Sequence, residues 1–163
     1  MRPASIIAPF KPLPASSRIL LMPSDPIVTS ADSNPLRVVI DSNNQITDKS
    51  LNIFSNDSET LILNESNTKI LENGKLNLES ALVTIGSLGI NNILLEAGSG
   101  LNGAMMDAGL IDEFVIYTAP IILGSDAQPM MQIPLKEMSE KISLKIIELT
   151  QVADDIKIRA VPL

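Results

Sequence analysis

The chain has 163 residues, enough for one ordinary domain with a core of its own. Hydrophobic residues make up 45% and aromatics only 2%, with no tryptophan, so the core has to be assembled from Ile, Leu, Val, Ala and Met. A net charge of −7 without a basic cluster excludes the phosphate footprint and stacking platform of a nucleic-acid binder. The absence of Cys and His excludes disulfides, thiolate chemistry, Cys/His metal sites and histidine acid–base catalysis.

Residues 1–17 carry Pro3, Pro9, Pro12 and Pro14, which oppose a helix interior or a central strand and predict an extended arm with no signal-peptide core. No apolar run reaches the length of about 18 residues that a membrane helix needs, and the cysteine-free composition fits a reducing, cytoplasmic setting. RILLM (18–22) and LRVVID (36–41) read as short buried strands separated by a turn-rich stretch. NIFSN (52–56) and TLILN (60–64) are further strand candidates. Leu78, Leu82, Ile85 and Leu88 recur at helical spacing and predict one helix over 76–88, closed by Gly86 and Gly89.

NNILLEA (91–97) reads as a buried strand running into G-x-G-x-x-G spacing at Gly98, Gly100 and Gly103. The stripe Leu101, Ala104, Met105 and Ala108 then predicts a sheet-packed helix, with Gly109 at a left-handed C-terminal cap. DEFVIYTAP (112–120) is another strand, and SLKIIELTQV (143–152) with DDIKIRAVP (154–162) predict a closing antiparallel pair. Strands alternating with two helices make the class α/β with a mixed sheet in a single domain over 18–163.

The glycine turn supports two readings. Amides at a helix N-terminus hold phosphates, with Gly98 free to take a positive φ, Gly100 admitting the anion, Gly103 allowing tight helix-on-strand packing and Ser99 capping or donating. The same turn also serves as a plain corner between strand and helix. A Rossmann site wants an acid about 20 residues further on, and that place, near Thr118, has none. Glu96, at the carboxyl end of an apolar strand, sits where open α/β sheets bind ligands, or else caps the helix or pairs with a surface lysine. Asp41 and Ser42, ending the strand RVVIDS, form either an equivalent site or a turn.

RVVIDSNNQIT and ILLEAGSGLNGAMMDAGLIDEFVIYTAPIILGSDA (93–127) closely resemble the reductase domain of the bifunctional riboflavin-biosynthesis deaminase–reductase. The resemblance implies a dihydrofolate-reductase-like fold, a mixed sheet flanked by helices. It implies NADPH-dependent reduction of 5-amino-6-(5-phosphoribosylamino)uracil to the ribitylamino product. It assigns a substrate contact to Glu96 and NADP contacts to Ser42, Gly98, Ser99, Gly100, Leu101, Asn102, Gly103 and Ala104, with no metal, and it suggests a homodimer. The family's opening strand–helix unit, with its lysine and S-L-D-G motif, has no counterpart and is expected to be missing. Its D-D-P and closing Arg read here as Ser24, Asp25, Pro26 and Ala31. The zinc deaminase half needs Cys and His ligands that this sequence lacks, so the deaminase is expected on a separate partner. The alternative expectation is a non-catalytic remnant that folds or dimerises and binds nucleotide weakly or not at all.

Overall fold

The computed structural model describes residues 6–7, 35–56 and 58–163. The predicted strand at 18–22 and the altered D-D-P segment lie outside these residues. Backbone contacts divide the chain into two compact units, one within Asp25–Leu88 and one formed by Gly89–Leu163 with the residues up to Ser24. In the latter, Ile6–Ile7 form a first short strand, β1, inside the proline-rich segment.

In the Asp25–Leu88 unit, β2 (Arg37–Ile40) and β3 (Thr60–Leu63) pair in parallel, from Arg37 opposite Thr60 to Ile40 opposite Leu63. Parallel partners require a crossover of a dozen or more residues, and this requirement corrects the expectation for NIFSN. Asn52–Phe54 form a 3-10 turn rather than a strand. The Arg37 guanidinium gathers the carbonyls of Asn52 (3.2 Å), Ser55 (2.5 Å) and Ser58 (2.5 Å) around itself, so these groups are not aligned for a sheet ladder. Asp41 is buried and accepts from the amides of Gln45 (2.9 Å) and Ile46 (2.8 Å), the turn-forming role among the two read from the sequence.

α1 spans Leu78–Ser87, capped by Asn77, whose side chain accepts from the Ser80 amide at 2.7 Å. Its buried face is Ala81, Leu82 and Ile85, whereas Leu88 is exposed just beyond the helix end. Gly86 lies inside the helix, and Gly89, at φ +80°, follows its end.

In the other unit, β1 pairs antiparallel with β4 (Leu94–Leu95), Ile6 opposite Leu95 and Ile7 opposite Leu94. The buried strand expected over 91–97 is therefore two residues long, and Leu94 is 42% exposed. α2 follows over Ser99–Asp107. It ends in a Schellman motif, with the Leu110 amide donating to Met105 O (2.9 Å), Gly109 to Met106 O (2.9 Å), and Gly109 at φ +65°.

β5 (Phe114–Thr118), β6 (Leu144–Val152) and β7 (Asp155–Pro162) form an antiparallel sheet in the order β5–β7–β6. Phe114, Val115 and Ala160 are buried in this unit together with Met105, Leu110 and Ile111. The predicted closing hairpin is present. It turns at Ala153 with φ +53°, and a bulge lies between Ile146 and Glu148. The chain is thus mixed α/β, with one parallel pair and two antiparallel sheets among the described residues.

Charge is organised across the three-stranded sheet. The register aligns Val115, Arg159 and Glu148 across β5, β7 and β6. Arg159 joins buried Glu113, at the entry to β5, through Nε (2.5 Å) and Glu148 through Nη1 (3.0 Å), while Lys157 adds a 3.1 Å pair to Glu148. Hydrogen bonds from Arg159, then Lys157, then the Thr150 hydroxyl hold the Glu148 carboxyl down at about 2, against an ordinary 4.5. Because the folded value is the lower one, this contribution is fully present above about pH 4.5 and is lost as pH falls toward 2. Urea midpoints measured from pH 2 to 7 are expected to fall less steeply through this window for Glu148→Gln than for the wild type. At the hairpin, Ala153→Gly relieves a left-handed alanine, and the urea midpoint is expected to rise by about 1 kcal/mol of stability.

Candidate functional site

The corner between β4 and α2 brings most of the sequence-derived candidates together. Glu96 leaves the strand end exposed to solvent, two residues before the helix cap. Gly98 is that cap, at φ −72° and ψ 165°. This extended backbone suits any residue, so the positive φ expected at Gly98 is not used. Ser99 is the first helical residue rather than the cap, and the cap makes no side-chain hydrogen bond. The first helical bond runs from the Asn102 amide to Gly98 O at 3.1 Å. The amides of Ser99, Gly100 and Leu101 precede it and have no acceptor among the described residues. These three N–H groups lie at the positive end of the helix dipole, the arrangement that receives an anion.

The stripe read as Leu101, Ala104, Met105 and Ala108 is rotated in the structure. α2 buries Asn102, Gly103 and Met105, while Ala104 and Ala108 are exposed. A segment with no sequence signal explains the rotation. Residues Met130–Gln132, in the long loop after β5, run as a strap against the first turn of α2. The Gln132 amide donates to Ser99 O at 2.9 Å. Asn102, 3% exposed, donates through Nδ2 to Ala97 O (3.0 Å) and to Met130 O (3.2 Å).

Gly103 has a reason other than the one read from the sequence. A Cβ there would stand 2.0 Å from Gln132 O and 2.7 Å from Gln132 C, so the close approach is to the strap. Gly98 has open space where a Cβ would be, and at Gly100 the nearest neighbour is Gln132 Oε1, 3.8 Å from a Cβ position. Ser42 belongs to the other unit, in the turn after β2, where its Oγ accepts from the Leu76 amide at 3.3 Å.

Gly103→Ala tests the close approach directly. The strap backbone has to move, and the expected cost is about 1–3 kcal/mol of stability, the range for overpacking, read as a lowered urea midpoint. Gly98→Ala, at a position with an ordinary φ and open space, is expected to shift the midpoint far less.

Comparison with known proteins identifies the family. The family described as the RibD C-terminal domain matches residues 17–158. The chain is 35% identical over 137 residues to the 5-amino-6-(5-phosphoribosylamino)uracil reductase of Buchnera aphidicola subsp. Acyrthosiphon pisum, covering 77% of this chain and 66% of the relative. It is 33% identical over 140 residues to the riboflavin biosynthesis protein RibD of Escherichia coli, covering 75% of this chain and 36% of the relative. The chain thus spans less than two thirds of the first of these relatives and about a third of the second. Among solved structures, Acinetobacter baumannii RibD superposes with a TM-score of 0.66 at 23% identity, over 78% of this chain and 37% of that one. The Thermotoga maritima diaminohydroxyphosphoribosylaminopyrimidine deaminase/5-amino-6-(5-phosphoribosylamino)uracil reductase gives 0.66 at 18% identity, over 83% and 40%. These superpositions establish the dihydrofolate-reductase-like fold expected from the sequence. On sequence and fold together, the chain belongs to the RibD C-terminal reductase domain family.

Proposed function

We propose that this chain performs the reductase step of riboflavin synthesis, the NADPH-dependent reduction of 5-amino-6-(5-phosphoribosylamino)uracil to its ribitylamino product. The observation that carries the reading is the corner itself. Three helix-terminal amides and an exposed carboxylate, Glu96, stand within six residues of one another, on a family whose Buchnera member is named for this reduction. The amides of Ser99, Gly100 and Leu101 suit a dinucleotide phosphate, because they supply donors and the favourable end of a dipole without needing a cation. Gly98 and Gly100 leave the approach open. Gly103, Ala104 and Asn102 complete the family's cofactor segment, Asn102 through its place in the fold.

When bound, NADPH supplies a hydride to the ribosyl carbon bearing the amine, and with one proton the ring opens to the ribityl chain. What the protein contributes is placement. The helix terminus fixes the phosphate end, and the Glu96 carboxylate accepts hydrogen bonds from hydroxyl or ring N–H groups of the substrate. Neither task requires the Cys and His that the sequence lacks. Deamination, whose zinc ligands are of those types, has to come from residues outside this sequence. We further propose a cytoplasmic homodimer. The apolar side chains that β6 exposes, Ile146 (57%) and Leu149 (62%), support the homodimer.

Calorimetric titration with NADPH and a turnover assay with the ribosylaminouracil phosphate test the proposal together. Binding and turnover are expected for the wild type. Glu96→Gln is expected to keep NADPH affinity and lose about 10-fold or more in kcat/KM, the loss of a charge-assisted hydrogen bond. No heat of binding at millimolar NADPH, or turnover indifferent to the Glu96 change, would overturn it.

A further inference from the structure

The strap across α2 carries one step beyond the assigned contacts. Its backbone is tied at three places: the Gln132 amide to Ser99 O, Met130 O to Asn102 Nδ2, and Gln132 O seated against Gly103 where only a hydrogen fits. Those ties set the Gln132 backbone beside the first turn of α2. Its carboxamide lies over Gly100, with Oε1 3.8 Å from where a Cβ would stand, while the residue as a whole is exposed. It therefore borders the same turn whose Ser99, Gly100 and Leu101 amides have no acceptor among the described residues. A half-turn about the last side-chain bond presents Nε2, with its two N–H donors, in place of Oε1.

Asn102 makes this placement deliberate in physical terms. A buried carboxamide in a first helical turn is costly unless its donors are used, and here both partners are carbonyls of segments flanking the turn, Ala97 and Met130. Its Oδ1 is buried without a partner, a cost tolerated in keeping the latch.

We infer that the Met130–Gln132 strap is part of the anion-binding corner, with Asn102 as its latch and the Gln132 carboxamide as a further donor to the phosphate held by the α2 amides. The inference rests on the reading of that corner as the NADPH site. In a protein of net charge −7, a neutral carboxamide adds a donor without introducing a charge that must be balanced elsewhere. Gln132 is then a binding and specificity residue, and Asn102 a positioning residue that acts through it.

The test is calorimetric titration of the whole chain with NADPH for the wild type, Gln132→Ala, Gln132→Glu and Asn102→Ala, with thermal unfolding of each. Gln132→Ala is expected to weaken binding about 3- to 10-fold, and Gln132→Glu more, because a carboxylate faces the phosphate, with unfolding temperatures unchanged at this exposed position. Asn102→Ala is expected to weaken binding to the level of Gln132→Ala at temperatures where it remains folded, and the double variant to bind no worse than Asn102→Ala. If both Gln132 variants bind as the wild type does, the strap is only a structural brace and the inference falls while the site stands. If the wild type itself fails to bind, the reading of the corner falls and takes this inference with it. If Asn102→Ala lowers the unfolding temperature and leaves affinity intact, the latch role is overturned.

Discussion

The corner depends on one buried carboxamide. Asn102 stands in the first turn of α2 and holds two carbonyls at once, that of Ala97 at the end of the strand segment and that of Met130 in the strap. Those two bonds tie the residue after Glu96 and the Met130–Gln132 strap to the first turn of α2, whose leading amides have no acceptor among the described residues. Gly103 is the necessary complement. Only a residue without a Cβ lets the Gln132 carbonyl come close enough for Met130 to reach the latch.

The chemistry available to the corner follows from how the rest of the molecule uses its charges. The chain is acidic, and two of its arginines are committed to structure. Arg37 organises the carbonyls of a crossover, and Arg159 bridges Glu113 and Glu148 across the three-stranded sheet. Among the described residues, what the first turn of α2 presents is dipoles, the amides of Ser99, Gly100 and Leu101. Dipoles of this kind are oriented before any ligand arrives and need no reorganisation. The exposed Glu96 lies beside them.

Some elements were legible because their causes are local. The helix over 78–87 follows from apolar spacing and the Asn77 cap, the end of α2 from Gly109, and the C-terminal hairpin from two alternating runs around a short turn. Other expectations failed where the cause lay elsewhere in the chain. NIFSN has strand composition, yet it forms a 3-10 turn because β2 and β3 pair in parallel and Arg37 claims its carbonyls. ILLEA has the composition of a buried strand, yet it pairs over two residues, with a segment about 90 residues earlier, an interval no local pattern records.

The sequence by itself determined the α/β class, the family, and the pairing of an acid with a glycine turn at the start of a helix, since each is written in contiguous residues and short-range spacing. It also determined what the chemistry could not be, because residue types that are absent supply no ligands. Only the tertiary structure decided which way α2 faces and what Gly103 accommodates, and only it enlisted Met130–Gln132. Those outcomes depend on a loop meeting a helix about 30 residues away, where the deciding quantity is the distance between two backbones rather than the identity of any one side chain.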